Sequence, residues 1–312
     1  MVESLVKGIK KQDLKSISKA ITFVENNSKE NSLILSKLYP LKKNPHRIGI
    51  TGPPGAGKST ITNLLIKYFR RINKKVAVIL VDPTSPYSNG AVLGDRIRMF
   101  NHYNDENVFI RSIATRGSKG GLAENIDEIA DIFSGAKFDI ILFETVGVGQ
   151  VEVDVVEQVD TVILTLVPES GDDIQMMKAG VVEIADIFVI NKSDRADANK
   201  LYASIKNVLN LDNSTGNGWV PSIIKTIATE DKGISELVEI LLNHDSYIKS
   251  QKNISTSKIS KRYISKVEKI LAKNMMDKFW SETRKDLLNA ELSKTINERI
   301  SPFNFATKLL EK

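Results

Sequence analysis

Residues 52–60 read "GPPGAGKST", with the β-branched stretch "RIGIT" (47–51) before them and "STITNLLIKYF" (59–69) after. The first flank predicts a strand, the second a helix, and the glycine-rich turn between them fits G-x-x-x-x-G-K-[ST]. Gly52, Gly55 and Gly57 free the backbone so that its N–H groups, with those of Ala56 and Thr60, face phosphate oxygens. Lys58 then supplies a point charge to the β- and γ-phosphates, and the Ser59 hydroxyl is a magnesium ligand. A strand, a phosphate loop and a helix in that order predict an α/β, P-loop architecture with a mainly parallel sheet.

The rest of the chain agrees with that architecture. Six further strand candidates alternate with helical stretches: "KVAVILVD", "NVFIRSIA", "FDIILFET", "TVILTLVP", "DIFVINK" and "PSIIKTIA". Residues 1–45 read as an N-terminal helical extension, with Leu5, Ile9, Leu14, Ile17, Ile21 and Val24 at mostly helical spacing before two prolines break the pattern. The P-loop domain is expected over 46–245. Residues 246–312 are expected as a C-terminal helical region, where Tyr263, Val267, Ile270 and Met275 form an apolar stripe and Ser301-Pro302 opens a last helix.

The second informative stretch is "NKSD" (191–194), at the end of the strand "DIFVINK". In N-K-x-D the Asp194 carboxylate accepts hydrogen bonds from the ring N–H and the exocyclic amine of guanine, Lys192 lays its stem on the base, and Asn191 braces the loop. An adenine would bury that carboxylate without its proper partner, a mismatch that discriminates by ~10⁴ or more. Thr226, Ile227 and Ala228, after the following strand, fit a short backbone contact to the guanine oxygen. GTP and GDP are therefore the expected ligands, with Mg²⁺.

Three carboxylates lie between these motifs. Asp82 ends the second strand and is the candidate for ordering the attacking water; Asp95, in "LGDRIRM", is the candidate switch carboxylate; Glu144 opens "ETVGVGQ" (144–150). With Ser59 they form the expected magnesium shell, and with Lys58 the expected catalytic set. Many phosphate-binding GTPases carry Asp-x-x-Gly-Gln at such a strand end, whereas here Glu144 replaces the Asp and Val148 follows Gly147. Nothing in the stretch supplies a water-positioning Gln, so hydrolysis is expected to be slow until another element completes the site. Two further segments stay open: "TRGSKGGL" (115–122) is either a mobile loop near the nucleotide or partner or a turn needing glycine. Glu169, Asp172 and Asp173 are either acids at a helix N-terminus or part of a switch.

Composition bounds the alternatives. The chain has 312 residues, is 41% hydrophobic and contains no cysteine, which excludes disulfides and thiolate metal sites. Residues 1–45 carry +5, residues 46–245 carry −7 and residues 246–312 carry +8, so the net charge of +6 comes from the flanks. No basic patch is interleaved with aromatics, so no nucleic acid is expected. No apolar run reaches the ~18–20 residues of a membrane span and the N-terminus lacks a signal peptide, so no membrane association is expected and the cytoplasm is the expected compartment. His46, His102 and His244 are isolated in the sequence.

With these residues in hand, the chain resembles the MeaB/ArgK family of G3E-type GTPases, relatives of the human methylmalonic aciduria type A protein. The resemblance rests on "GPPGAGKST", "DPTSP", "LGDRIRM", "TRGSKGGL", "ETVGVGQ", "ESGDDIQ", "NKSD" and the "SPFNFA" tail, in order along nearly the whole chain. It implies a GTP-hydrolysing chaperone of an adenosylcobalamin-dependent acyl-CoA mutase, usually methylmalonyl-CoA mutase, that gates cofactor loading and protects the mutase. It also implies a homodimer built with the C-terminal helices, and it favours the switch reading of Pro168–Lys178. Lys119 and Ile97 depart from the family pattern, and the chain lacks Asp-x-His-x-x-Gly, so the resemblance implies that the corrin belongs to the partner rather than to this chain. Rival readings are a nucleotide-dependent kinase of amino-acid transport components, an older family label that would need ATP; a targeting GTPase using the basic flanks; and a nickel-insertion GTPase, which needs Cys and His ligands.

Overall fold

The computed structural model describes residues 1–41, 43–82, 99, 102, 104–114, 125–145, 157–168, 184–211 and 218–311. It divides into two compact units, Met1–Ser255 and Thr256–Lys312.

The larger unit begins with three helices, α1 (Val2–Lys10), α2 (Leu14–Glu25) and α3 (Asn31–Leu38). Gln12 takes a positive φ of 63° at the first turn, and the Asp13 carboxylate then caps α2 by accepting from the Ser16 amide at 2.9 Å. Among the described residues seven strands follow: β1 (His46–Thr51), β2 (Val76–Asp82), β3 (Val108–Ala114), β4 (Ile140–Thr145), β5 (Thr161–Leu166), β6 (Ile187–Ile190) and β7 (Ser222–Lys225). They form one sheet in the order β3-β2-β4-β1-β5-β6-β7, and every neighbouring pair is parallel. Interleaved with them are α4 (Lys58–Arg71), α5 (Ile126–Gly135), α6 (Ala198–Leu211) and α7 (Ile234–Ser250).

The inner strands β2, β4, β5 and β6 are rich in apolar residues because both faces of the sheet are covered there, whereas the edge strand β7 is only half-buried. In β2, Ala77, Ile79 and Val81 point into a core shared with α1, α2, α3 and α5, whereas Val76, Val78 and Leu80 point into a core shared with α4 and α7. The N-terminal helices are thus part of the main core: Ile9, Ile17, Ile21, Val24 and Ile34 are fully buried. Side chains of this size each contribute about 1.5–3 kcal/mol when buried. Polar contacts fix the same face, with Asn31 Nδ2 donating to Glu128 at 2.8 Å, Asn125 Nδ2 donating to the Val24 carbonyl at 2.7 Å, and Arg111 paired with Glu25.

The N-terminal edge of the sheet carries a buried polar floor. Histidines 46 and 244, isolated in the sequence, meet here on one hydroxyl: Thr161 Oγ1 lies 2.6 Å from His46 Nε2 and 2.7 Å from His244 Nδ1. The other nitrogen of His244 lies 3.5 Å from Asp186, whose second oxygen accepts from the Val162 amide at 2.8 Å. On the opposite face the buried Arg47 guanidinium bonds Asp127 at 2.9 Å and Asp131 at 3.4 Å. Burial opposes its charge, but the two carboxylates more than compensate and raise its pKa. The third histidine, His102, bonds Asn63 of α4 at 2.8 Å, and burial pushes its pKa down.

The smaller unit is helical, drawing on α8 (Lys252–Phe279), which starts just before the division, and on α9 (Glu282–Leu292) and α10 (Pro302–Leu310). Arg284 organises it. The guanidinium stacks 4.4 Å from the Phe279 ring and donates to the Phe279 carbonyl at 2.9 Å and the Leu309 carbonyl at 3.1 Å. Ser301 caps α10 with Pro302 at its first position, as the sequence predicts. Along α8, Ile259, Tyr263, Val267, Leu271 and Met275 recur every four residues and are all exposed. Among the described residues no helix is long and apolar enough to cross a membrane.

Candidate functional site

The phosphate loop, Glu144, the residues 191–194 and the residues 226–228 lie at the C-terminal ends of β1, β4, β6 and β7, the edge where ligands bind in open α/β folds. The loop after central β1 carries the phosphate motif. Its backbone depends on glycine: Gly52, Gly55 and Gly57 have φ of 139°, 78° and 92°. A Cβ on Gly52 would lie 2.0 Å from the Thr165 carbonyl oxygen of β5, and one on Gly57 would lie 2.3 Å from Asn191 Nδ2, whereas one on Gly55 would meet nothing within 4 Å. The loop is therefore pressed against the protein at two points and open at the third. Lys58 is 7% exposed, and its ammonium donates to the Gly52 and Pro53 carbonyls at 2.7 and 3.0 Å. Those bonds hold the charge at the centre of the loop.

Ser59 opens α4 and its hydroxyl donates to Glu144 Oε1 at 2.5 Å. Glu144 reaches it because β4 lies beside β1 with Glu144 in register with Ile50, and it is 6% exposed. The pair fits a magnesium site on its donor chemistry: a hydroxyl and a carboxylate in contact are hard oxygens, and Mg²⁺ takes one or two such groups and completes its shell with phosphates and waters. Ser59 and Glu144 are thus the described residues that could hold such an ion beside nucleotide oxygens. It would supply charge neutralisation at the phosphates. The Asp82 backbone ends β2, in register with Ala114. Its side chain, Asp95, "TRGSKGGL" and residues 169–178 of the expected switch lie outside the described residues.

The base motif follows β6. Asn191 is the junction of the site, 3% exposed. Its amide nitrogen donates to the Ala56 carbonyl of the phosphate loop at 2.8 Å, and its carbonyl oxygen accepts from Thr226 Oγ1 and from the Ala228 amide, both at 3.1 Å. Lys192, at a φ of 55°, reaches back to the Gly55 carbonyl at 2.9 Å. One side chain thus joins the phosphate loop to the loop after β7; the brace is read from the sequence, but its partners are not. Asp194 is exposed. Thr226, Ile227 and Ala228 lie in a tight turn closed by a bridge between Ile227 and Lys232. Lys232 was not singled out by the sequence; Glu230 holds its ammonium charged above the ordinary range, and Asp194 adds to that shift.

Comparison with known proteins places this geometry. The sequence profile of the methylmalonyl-CoA mutase-associated GTPase MeaB matches residues 17–284, which include both motifs. A Pyrococcus horikoshii protein that is a GTPase by description is 43% identical over 313 residues, spanning 100% of this chain and 98% of its own. GTPase ArgK of Escherichia coli is 34% identical over 248 residues, covering 76% of this chain and 74% of its own. The mouse methylmalonic aciduria type A homolog is 34% identical over 253 residues, covering 76% of this chain and 61% of its own. The fold is that of a crystal structure described as a LAO/AO transport system kinase, with a TM-score of 0.69 at 23% identity over 99% of this chain and 96% of that one. Membership implies binding of GTP or GDP with Mg²⁺. On its sequence, its fold and the joined phosphate and base loops, this chain belongs to the MeaB/ArgK family and is a G3E-type P-loop GTPase.

Proposed function

We propose that this GTPase is the nucleotide-driven chaperone of an adenosylcobalamin-dependent acyl-CoA mutase, in the first instance methylmalonyl-CoA mutase, gating cofactor loading and protecting the mutase. The observation that carries the reading is the family match over residues 17–284. In this reading Lys58 binds the phosphates, Ser59, Glu144, Asp82 and Asp95 serve the magnesium shell and the water, and Asn191, Lys192 and Asp194 with residues 226–228 hold guanine. The corrin stays with the mutase. The transport-kinase description attached to one structural relative comes with likeness of fold only, and an Asp at position 194 disfavours ATP.

Intrinsic turnover is expected to be slow, on the order of one per minute or less against ~10 s⁻¹ for typical enzymes, because no Gln follows Gly147. Phosphate release with and without the mutase of the same organism tests the reading. A several-fold or greater rise on adding mutase is expected, abolished by Asp82→Ala with GDP binding retained, and nucleotide state should in turn change affinity for the mutase. Fast turnover alone, or a mutase that neither binds nor alters the rate, refutes it.

The reading also includes a homodimer formed by the C-terminal region, with the N-terminal extension (1–45) and P-loop domain (46–245) forming the rest of each protomer. The exposed row from Ile259 to Met275 is the supporting feature, since an apolar stripe of this length on a helix is a common dimer seam. Truncation after residue 250 is expected to give a monomer that still binds GDP. Light scattering of the full chain at tens of micromolar concentration, well above typical dimer dissociation constants of about 1 μM or less, would expose a monomer if the proposal is wrong.

A further inference from the structure

The turn after β7 carries an acid that the sequence reading passed over. Asp231 takes a φ of 58°, in the left-handed region where non-glycine residues are uncommon and Asp is one of the few that settle there. Its Oδ2 accepts from Lys67 Nζ at 2.9 Å, and its Oδ1 is buried and has no hydrogen-bond partner among the described residues. Lys67 lies on α4, the helix that begins with Lys58 and Ser59. The carboxylate thus fastens the tip of one loop to the helix that carries the phosphate site.

The loop it fastens leaves little play elsewhere. Ile227 and Lys232 exchange backbone hydrogen bonds at 3.1 and 3.3 Å, and the Asp231 amide donates to the Ala228 carbonyl at 3.3 Å. Ala228 is buried against α4 in the core that holds Ile61 and Leu65. Gly233 closes the turn at a φ of 77°, where a Cβ would stand 2.3 Å from the Lys225 carbonyl oxygen. On the far side, Lys232 feels the charge of Asp194. The segment between Thr226 and Gly233 is therefore a rigid clip. Its arm at 226–228 is tied to Asn191, its arm at 232 lies near Asp194, and its tip at 231 is tied to α4.

We infer that Asp231, paired with Lys67, is a positioning residue for base recognition: it sets the height of the 226–228 backbone above α4, and so the register between the base and the phosphates. The inference rests on the guanine reading of Asp194 and residues 226–228. It is distinct from stability, because a half-exposed ion pair adds little to the fold as a whole. It matters only when a ligand must span both loops at once.

The test is equilibrium displacement of a fluorescent GDP by GDP, ADP and xanthosine diphosphate, with thermal melting of each variant alongside. Asp231→Gly keeps the backbone conformation and removes the carboxylate. Its GDP affinity is expected to fall about tenfold while ADP affinity stays put, so that the GDP-over-ADP ratio drops by that factor. Lys67→Ala should do the same to a lesser degree, and the double variant should be no worse than Asp231→Gly, since both remove one interaction. Asp231→Asn, which also tolerates the left-handed region, should match Lys67→Ala. An unchanged GDP-over-ADP ratio in Asp231→Gly overturns the inference, and so does a double variant whose losses add. Asp194→Asn is run in parallel. If it gains xanthosine diphosphate while the Asp231 variants keep their ratio, the guanine reading stands and the inference alone is wrong. If it gains none, the guanine reading fails and the inference falls with it.

Discussion

Replacing Asp194 by Asn is expected to move base preference from guanine to xanthine, with GDP affinity falling by roughly 10²–10³-fold and xanthosine diphosphate coming within about tenfold of the native GDP affinity. In the proposed reading the carboxylate accepts from the ring N–H and the exocyclic amine of guanine. An amide keeps one acceptor and gains one donor, which meets the 2-oxo group of xanthine. The change should stay local. Asn191 is held by Ala56, Thr226 and Ala228, and Lys192 by Gly55, so neither depends on the Asp194 side chain for its place. Melting temperature without nucleotide should therefore be unchanged. Titration calorimetry with the two diphosphates reads the outcome, and equal ATP and GTP affinity in the native chain would remove the basis for the guanine assignment.

Lys58→Ala is expected to cost at least ~100-fold in GDP affinity, because a buried, charge-assisted contact to the phosphates is lost outright. The lysine is 7% exposed and bonded to two loop carbonyls, so its removal also leaves the Gly52 and Pro53 oxygens without that donor. Lys58→Arg should rescue little, since a planar fork cannot take the place of a compact ammonium between two carbonyls. The Asp194 site is untouched, so the residual binding should keep its preference for guanine. A loss below tenfold would show that the phosphates do not lie over this loop.

Much of this site is legible in the sequence because nucleotide chemistry fixes it locally. The glycines at 52, 55 and 57 are required by their backbone angles, and those at 52 and 57 also by close neighbours, and a Lys-Ser pair follows them, so the motif reads as a short string. The inner strands are legible for a related reason. A strand buried on both faces has no choice but a continuous apolar run. What the sequence hides is whatever joins distant segments. Asn191 reads as a loop brace, but its bond to Ala56 spans 135 residues and only the sheet order brings the two together. His46 and His244 look isolated because the hydroxyl they share, Thr161, belongs to a strand far from both in the sequence. Asp231 carries no signal at all: an Asp-Lys-Gly turn is ordinary, and its left-handed φ and its partner on α4 are consequences of the packing.

The sheet order also bears on how the chain comes off the ribosome. Strand β1 lies in the middle of the sheet, yet both of its neighbours arrive late, with His46 in register with Ile140 and Ile48 in register with Thr161. The first of them is translated roughly ninety residues after β1, an interval of about 5–20 s at usual rates of synthesis. Throughout that time the strand bearing the phosphate loop has no neighbour to pair with and an apolar run to conceal. The nascent helices α1–α3 precede it with apolar faces of their own, but their final seat on α5 is translated only shortly before β4. Nucleotide therefore cannot assist the folding of β1 at that stage, because the loop after β1 is made well before Thr165 and Asn191, the residues that press against it.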